Sequence, residues 1–257
     1  MLIPFLPVLY LTDSRGAWFA IALSAIFVVA FSIQNRRFRL IGGIALLALV
    51  LIASLFFGTK IINFLIQGHT SQDKGYTIST VTKRVYLWES ALQMIHDSPW
   101  LGYGMDNWLC HYSNNTVCHT TTIYHYWILK DPKTGQPTGL ADEPALSHPH
   151  NIFLHVWVSM GIFGLLTLIA ALVLFFWLFA RILRRLHASS HIPIGERILS
   201  RAMTIGVGAS MLAALIQGQI DSAFLEQDLA FCFWTLVVSL LLLRMVSFTL
   251  WSKSAKA

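Results

Sequence analysis

Three histidines lie close together in the stretch SHPHNIFLH (residues 147–155), where a polar segment becomes a long apolar one. Pro149 separates His148 from His150, and Asn151 follows directly. Histidine is both a common metal ligand and a common general base, because its charge changes near neutral pH. The stretch is therefore compatible with a metal centre, a catalytic base at the start of a helix, or a polar helix cap.

A metal centre needs more ligands than this stretch supplies. Residues two positions apart do not share a face of a helix, so His148 and His150 can converge only if the backbone there is extended. Pro149 favours extended backbone for His148, the residue before it. A catalytic zinc ion would still need a third protein ligand. Three further histidines could supply it, and spacing singles out none of them: His111, His119 and His125. We therefore expect no metal ion and no other cofactor.

A general base fits the position of His150 better. Asn151 is a favoured N-cap residue, and the apolar helix is predicted to begin directly after it. His150 would then lie at the positive end of a long helix, which disfavours a charged ring and attracts anionic groups. The alternative, a histidine that belongs only to a polar cap, remains open at this point.

Two arginines are candidates for binding an anionic group near this base. Arg15, in LTDSRGAWF, precedes an apolar run, and Arg84, in TKRVYLWES, opens an amphipathic segment. Guanidinium groups hold pyrophosphate oxygens through paired hydrogen bonds. The alternative is that each arginine only extends its charged group from the membrane edge into water.

The elements that must position these residues are membrane helices. Hydrophobic residues make up 56% of the 257 residues and charged residues only 12%, against about 25% charged in soluble domains. Apolar runs of about 20 residues can cross a bilayer as helices. Five runs have that character, at roughly 16–33, 40–57, 152–180, 202–220 and 229–248. We therefore predict an all-α integral membrane protein, a polytopic helix bundle.

The distribution of charge predicts the topology. Arginine and lysine concentrate in the 34–39 loop, the 181–201 loop and the C-terminal tail, which marks these segments as cytoplasmic. Eleven of the twelve acidic residues fall on the opposite side, Glu196 being the exception. The positions of the charges matter more than the net charge of +6, so we predict contact with membrane lipids and no nucleic-acid partner.

The predicted organisation has three parts. Residues 1–57 form the end of a helix and two membrane helices, residues 58–150 form a large outer loop, and residues 151–257 form three membrane helices and the tail. The apolar start, MLIPFLPVLYL, resembles the end of a helix whose beginning is missing. We therefore expect the chain to be the C-terminal part of a larger membrane protein.

The outer loop is predicted to contain an amphipathic helix. Apolar residues recur at helical spacing from Val81 to Ile95, Ser98-Pro99 ends the pattern, and Gly102 and Gly104 allow a tight turn. We expect this helix to lie along the outer membrane surface or to cover a cavity, or simply to pack on the bundle.

The cysteines divide between these two regions. Cys110 and Cys118 lie in the outer loop, where a disulfide is permitted, although their spacing leaves the pairing open. Cys232 lies in an apolar run and is expected to be an inert core residue.

Three stretches in order, LTDSRGA, RVYLWESALQMIHDSPWLGYGMDNW and HPHNIFLHVWVSMGIFGLL, resemble the O-antigen ligase / O-antigen polymerase superfamily. Asp221, in GQIDSAF, is similar to an acidic position near the last helices of that family. The resemblance implies a GT-C-like integral membrane glycosyltransferase of the bacterial inner membrane, with its large loop in the periplasm. It implies transfer of a glycan from undecaprenyl pyrophosphate to an acceptor hydroxyl at the periplasmic face.

The resemblance also implies roles for the candidate residues. His150 would remove the proton from the acceptor hydroxyl, and Arg15 and Arg84 would neutralise the departing pyrophosphate. His148 and Asn151 would orient the base or the acceptor, and Asp221 would belong to the substrate-binding set.

The acceptor remains open among relatives of this kind. Ligation of O-antigen to the lipid A core, a step of lipopolysaccharide biosynthesis, is the preferred function. An O-antigen polymerase and a protein O-oligosaccharyltransferase are the alternatives. A non-enzymatic transporter or assembly subunit is a further alternative, but it would place charges near the bilayer midplane. The only charged residue in the predicted spans is Arg244, which lies near a cytoplasmic end.

Overall fold

The computed structural model describes residues 15–33, 35, 37, 80–105, 107–112, 148–188, 192–219 and 230–254. Regular structure in these ranges is entirely helical, as predicted. The helices are α1 (Arg15–Ser32), α2 (Thr80–Asp97), α3 (Trp108–Tyr112), α4 (Ile152–Ala188), α5 (Ile194–Gln217) and α6 (Ala230–Ser254). The predicted span at 40–57, residues 113–147 of the outer loop and Asp221 lie outside the described residues.

Two of these helices are long and apolar enough to cross a membrane. They are α4, with 37 residues, and α5, with 24. Shorter apolar helical stretches cover Gly16–Ser32 and Ala230–Val246. A rise of about 1.5 Å per residue makes α4 longer than a hydrocarbon core of about 30 Å, so part of α4 extends beyond that core if it spans the membrane. The GT-C-like arrangement and the number of spans remain predictions.

Helix α5 begins earlier than the sequence pattern predicts. The apolar run starts near residue 202, whereas the helix starts at Ile194 and includes Arg197 and Arg201 in its first turns. Arg201 donates a hydrogen bond to the carbonyl of Phe31, near the end of α1. The last carbonyls of a helix have no partner within it. A basic side chain in the early turns of α5 therefore has a structural use that hydropathy does not reveal.

The described helices fall into two compact units. The first contains residues 1–55 and 169–257, and the second contains residues 56–168. In the first unit α5 packs against both α1 and α6. The ring of Phe179 lies 5.5 Å from that of Phe27 and packs closely on Gly208, where a Cβ would overlap it. The three parts predicted above follow the membrane topology rather than the packing of the helices, and they remain a prediction.

The second unit has its own apolar core. It is formed by buried side chains of α2, α3 and the start of α4: Leu87, Ala91, Met94, Ile95, Trp108, Tyr112 and Val158. The stacked rings of Trp108 and Tyr112 have centroids 5.1 Å apart. The predicted helix is thus confirmed, but its buried face is not the predicted apolar stripe. Of the recurring apolar residues, Ile95 lies in the core and Trp88 packs against it, whereas Val85 and Leu92 are 41% and 53% exposed.

The connection between α2 and α3 is a tight turn, as predicted. Helix α2 ends at Asp97, immediately before Ser98-Pro99. Gly102 and Gly104 have φ angles of 68° and 92°, values that glycine adopts more readily than other residues. The Ser98 hydroxyl donates to the carbonyl of Gly102 at 3.0 Å and closes the turn.

Helix α4 is broken at Gly161 (φ 66°, ψ −168°), and the tight turn packs against the break. A break of this kind releases backbone groups that a continuous helix would pair. The turn pairs them through three hydrogen bonds: from Tyr103 N–H to the carbonyl of Val158 (2.8 Å), from Gly104 N–H to that of Ser159 (2.9 Å), and from Ile162 N–H to that of Pro99 (2.9 Å).

The turn and the break touch backbone to backbone. A Cβ at Gly102 would lie 2.5 Å from the carbonyl oxygen of Val158, and a Cβ at Gly161 would overlap the carbonyl of Trp100. The indole N–H of Trp157 also donates to the carbonyl of Pro99, at 3.1 Å. Residues 157–162 of α4 are therefore joined directly to the turn that follows α2.

Candidate functional site

Asn151 caps helix α4, as predicted. Its side-chain oxygen accepts hydrogen bonds from the N–H groups of Phe153 (3.0 Å) and Leu154 (3.1 Å). Its own carbonyl accepts the first intrahelical bond, from His155 N–H at 2.8 Å. Such a cap stabilises a helix by about 1 kcal/mol relative to alanine. The helix therefore starts at a defined residue, and His150 immediately precedes its cap.

The three histidines of the opening stretch form one cluster. The ring centroid of His148 lies 4.6 Å from that of His150, with the planes at 66°. The ring of His155 stacks on that of His148, with centroids 5.9 Å apart. The side chain of His148 is buried, with 7% of its surface exposed, whereas His150 is half-buried. Of the first two histidines, His150 is the more exposed.

His150 adopts an uncommon backbone conformation. Its φ angle is 51°, which makes it a non-glycine residue in the left-handed region. Histidine is among the residues more often found there, but the conformation still costs about 1 kcal/mol or more. Residues held in this way are concentrated at active sites and ligand-binding sites. The backbone thus marks the same histidine that the sequence pattern selects.

Within the described ranges, no group of three or more histidine, cysteine, aspartate or glutamate side chains is placed to hold a metal ion. The cluster of His148, His150 and His155 therefore has ring contacts rather than ligand geometry. His119 and His125 lie outside the described residues. Independence from metal remains a prediction.

The predicted arginines have different positions. Arg84 is half-buried in the second turn of α2, four residues before Trp88 and on the same helix face. It belongs to the same compact unit as the histidines. Arg15 is the first residue of α1, in the other unit, and Asp221 lies outside the described residues. The structure thus joins His148, His150 and Asn151, and the arginine pocket remains a prediction.

Helix α3 carries a second histidine environment. The ring of His111 packs on that of Tyr103, with centroids 4.4 Å apart, and its burial lowers the pKa of His111. The neighbouring Cys110 is disulfide-bonded, and Cys232 in α6 is a half-buried free thiol. Cys118, the other cysteine of the outer loop, lies outside the described residues.

Three residues of this region were not selected from the sequence as site residues. His155 stacks on His148, Trp157 binds the carbonyl of Pro99, and Gly161 breaks the helix. A glycine within an apolar helical run is a weak signal for such a break. The contacts of Trp157 and His155 have no local signal, because they depend on long-range packing.

A family model described as O-antigen ligase matches residues 1–169. The matched segment is more than half of the 257 residues. This chain belongs to the O-antigen ligase family. No curated protein matches the chain significantly.

Family membership places the chain among membrane glycosyltransferases of the O-antigen ligase and polymerase type. The match includes the histidine cluster, Arg15 and Arg84, the tight turn and the break at Gly161. It ends before Asp221. The assignment of Asp221 therefore depends on the sequence resemblance alone.

Proposed function

We propose that this O-antigen ligase family member transfers a glycan from undecaprenyl pyrophosphate to an acceptor hydroxyl at the periplasmic face of the bacterial inner membrane. The preferred acceptor is the lipid A core, which makes the reaction a ligation step of lipopolysaccharide biosynthesis. The observation that carries the proposal is His150, half-buried against His148 and in left-handed backbone before the capped start of α4.

His150 is the proposed general base. Its ring accepts the proton of the acceptor hydroxyl while the oxygen attacks the anomeric carbon of the donor glycan. The bond between that carbon and the pyrophosphate oxygen breaks, and undecaprenyl pyrophosphate leaves with the electron pair. A positioned base contributes about 10²–10⁴-fold to such a step. His148, packed edge-to-face on His150, holds the ring in place.

Arg84 and Arg15 are the proposed partners of the pyrophosphate. Charge develops on the leaving group as the glycosidic bond breaks, and fixed cations stabilise that charge. Two guanidinium groups would supply what a bound metal ion supplies in metal-dependent transferases. Asn151 holds the helix start beside the base, and Asp221 is assigned to substrate binding.

The location of the reaction is supported by charge and by redox chemistry. The acidic residues concentrate on the side of the loop, and the basic residues on the other side, as expected for an outer loop. The disulfide at Cys110 fits an oxidising compartment such as the periplasm. An O-antigen polymerase or a protein O-oligosaccharyltransferase would use the same base and differ in the acceptor.

Complementation of a ligase-deficient strain tests the proposal with the full-length protein. We expect His150→Ala to abolish surface O-antigen and His148→Ala to reduce it less, because only His150 is assigned to proton transfer. His187→Ala, an exposed histidine near the end of α4, is the matched control and should complement fully. Membrane levels of each variant are compared by immunoblot.

Two results would contradict this assignment. Full complementation by His150→Ala at normal membrane levels would exclude His150 as the base. A larger defect for His148→Ala than for His150→Ala would identify the buried histidine as the base instead. If the wild-type protein does not restore ligation but extends or transfers glycans to another acceptor, the acceptor assignment is wrong and the site assignment can still hold.

A further inference from the structure

The turn between α2 and α3 exposes an apolar tip. Trp100, Leu101 and Met105 are 65%, 76% and 69% exposed, and the ring of Trp100 lies 6.3 Å from that of the exposed Phe163. Residues 98–105 contain no charged side chain. Single exposed apolar residues need no explanation, but a contiguous apolar patch on a loop and an adjoining helix indicates a surface with an apolar partner.

The position of this tip along α4 can be counted in residues. Three backbone hydrogen bonds join the turn to residues 158–162 of α4. The first charged residue that follows in α4 is Arg181. A hydrocarbon core of about 30 Å takes about 20 helical residues. Counting back about 20 residues from Arg181 reaches the break at Gly161, so the tip lies at the opposite boundary of that core.

The backbone of the turn is suited to this depth. Irregular backbone is tolerated at membrane depth only where protein groups pair its N–H and carbonyl groups. The N–H groups of Tyr103 and Gly104 and the carbonyl of Pro99 are paired with α4, and the carbonyl of Gly102 is paired with the Ser98 hydroxyl. These four backbone groups are paired within the protein, while the side chains of Trp100, Leu101 and Met105 are exposed.

We propose that this turn is a membrane anchor, with Trp100 and Leu101 inserted among lipid acyl chains at the boundary of the leaflet in which α4 begins. Tryptophan is enriched at this level of a bilayer. The lipid surface is the occupant favoured here because the exposed patch continues onto Phe163 of a helix apolar enough to span the membrane. The proposal does not depend on the transferase function.

The test measures the depth of a fluorophore. Leu101→Cys is made in the full chain with Cys232→Ala, which removes the free thiol and leaves the disulfide at Cys110 intact. The cysteine is labelled with bimane, and the protein is reconstituted into phosphatidylcholine vesicles. Some vesicles contain lipid with a nitroxide quencher near the headgroup, and others contain lipid with the quencher near the chain end.

Two matched variants calibrate the measurement. Val173→Cys, 61% exposed in the apolar part of α4, reports the interior of the bilayer, and Glu89→Cys, on the exposed face of α2, reports water. We expect the shallow quencher to remove most of the fluorescence at position 101 and the deep quencher to remove less. Position 173 should show the reverse order, and position 89 should respond mainly to iodide in the water.

Each other outcome would overturn the proposal. Quenching at position 101 by iodide and not by lipid would place the tip in water. Protection from both would indicate a protein partner, and stronger quenching by the deep quencher would indicate a re-entrant segment rather than a boundary anchor. If position 173 also resists lipid quenchers, α4 does not lie in the bilayer and the counting argument is wrong.

Discussion

At the scale of single residues, the histidine cluster assigns different roles to neighbours of the same type. His148 is buried and its ring contacts those of His150 and His155, whereas His150 is half-buried in left-handed backbone beside the helix cap. A base must reach the substrate, and a residue that positions it needs only to pack well. Burial therefore favours the assignment of His150 to proton transfer and of His148 to orientation.

The arginine role predicts a geometric requirement at position 84. Arg84→Lys keeps the positive charge but loses the planar group that holds two phosphate oxygens together. We expect transfer to fall nearly as far as in His150→Ala, by about 10²-fold or more. Glycan transfer by the purified full-length protein measures this. Activity close to wild type in Arg84→Lys would show that charge alone suffices at this position.

Burial of His111 predicts a pH dependence of stability. Its pKa in the folded protein is lowered below the ordinary value of 6.5, so the unfolded chain binds its proton first as pH falls. Above pH 6.5 His111 is neutral in both the folded and the unfolded protein, and its burial costs no stability. As pH falls from this value towards the lowered pKa, the unfolded chain takes up a proton that the folded protein does not, and stability is lost. We expect His111→Gln to lose less stability between about pH 7 and pH 5 than the wild type.

Thermal unfolding of the detergent-solubilised protein at the two pH values tests this expectation. His187→Gln, exposed near the end of α4, is the control and should keep the wild-type pH dependence. An unchanged pH dependence in His111→Gln would mean that other groups govern stability in this range.

At the scale of elements, the tight turn and the broken helix form one structural unit. Hydrogen bonds from the turn replace those that α4 loses at Gly161, and two glycines allow the backbones to touch. The histidine cluster lies at the start of the same helical segment. The position of the candidate base therefore depends on packing at a glycine some three helical turns away.

Gly161→Ala should be strongly destabilising. The added Cβ would overlap the carbonyl of Trp100, and the positive φ angle strains any residue with a side chain. We expect a loss of about 2 kcal/mol or more. Gly206→Ala is the matched control, because its Cβ would meet nothing within 4 Å, and helical alanine is more stable than glycine by about 0.5–1 kcal/mol.

Chemical denaturation of both variants under the same conditions measures these differences. Equal stability of Gly161→Ala and Gly206→Ala would show that the break at Gly161 is not required by the native packing.

At the scale of the whole molecule, the proposed reaction should proceed without a divalent metal ion. The two arginines are assigned to the pyrophosphate, and the described residues contain no suitable ligand group. Transfer by the purified full-length protein is therefore expected to retain its rate in EDTA. Loss of activity on chelation, with recovery on adding one specific metal, would contradict this expectation and return His148 and His150 to the candidate ligands.

The sequence by itself determined the features that depend on local patterns. The helical state of α2, its end before Ser98-Pro99, the glycine turn and the Asn151 cap are all confirmed by the structure. Each depends on residues within a few positions of one another, through side-chain periodicity, fixed proline geometry or a short hydrogen bond. The family was also indicated by ordered local motifs.

The tertiary structure decided which of these local features meet. The backbone groups freed by the break at Gly161 are paired by a turn that is distant in the sequence. Trp157 and Pro99, which are joined by a hydrogen bond in this contact, are 58 residues apart. The hydrogen bond from Arg201 to the carbonyl of Phe31 likewise joins two helices that are distant in the sequence. Hydropathy and spacing describe one element at a time, whereas these features depend on surfaces that two elements share.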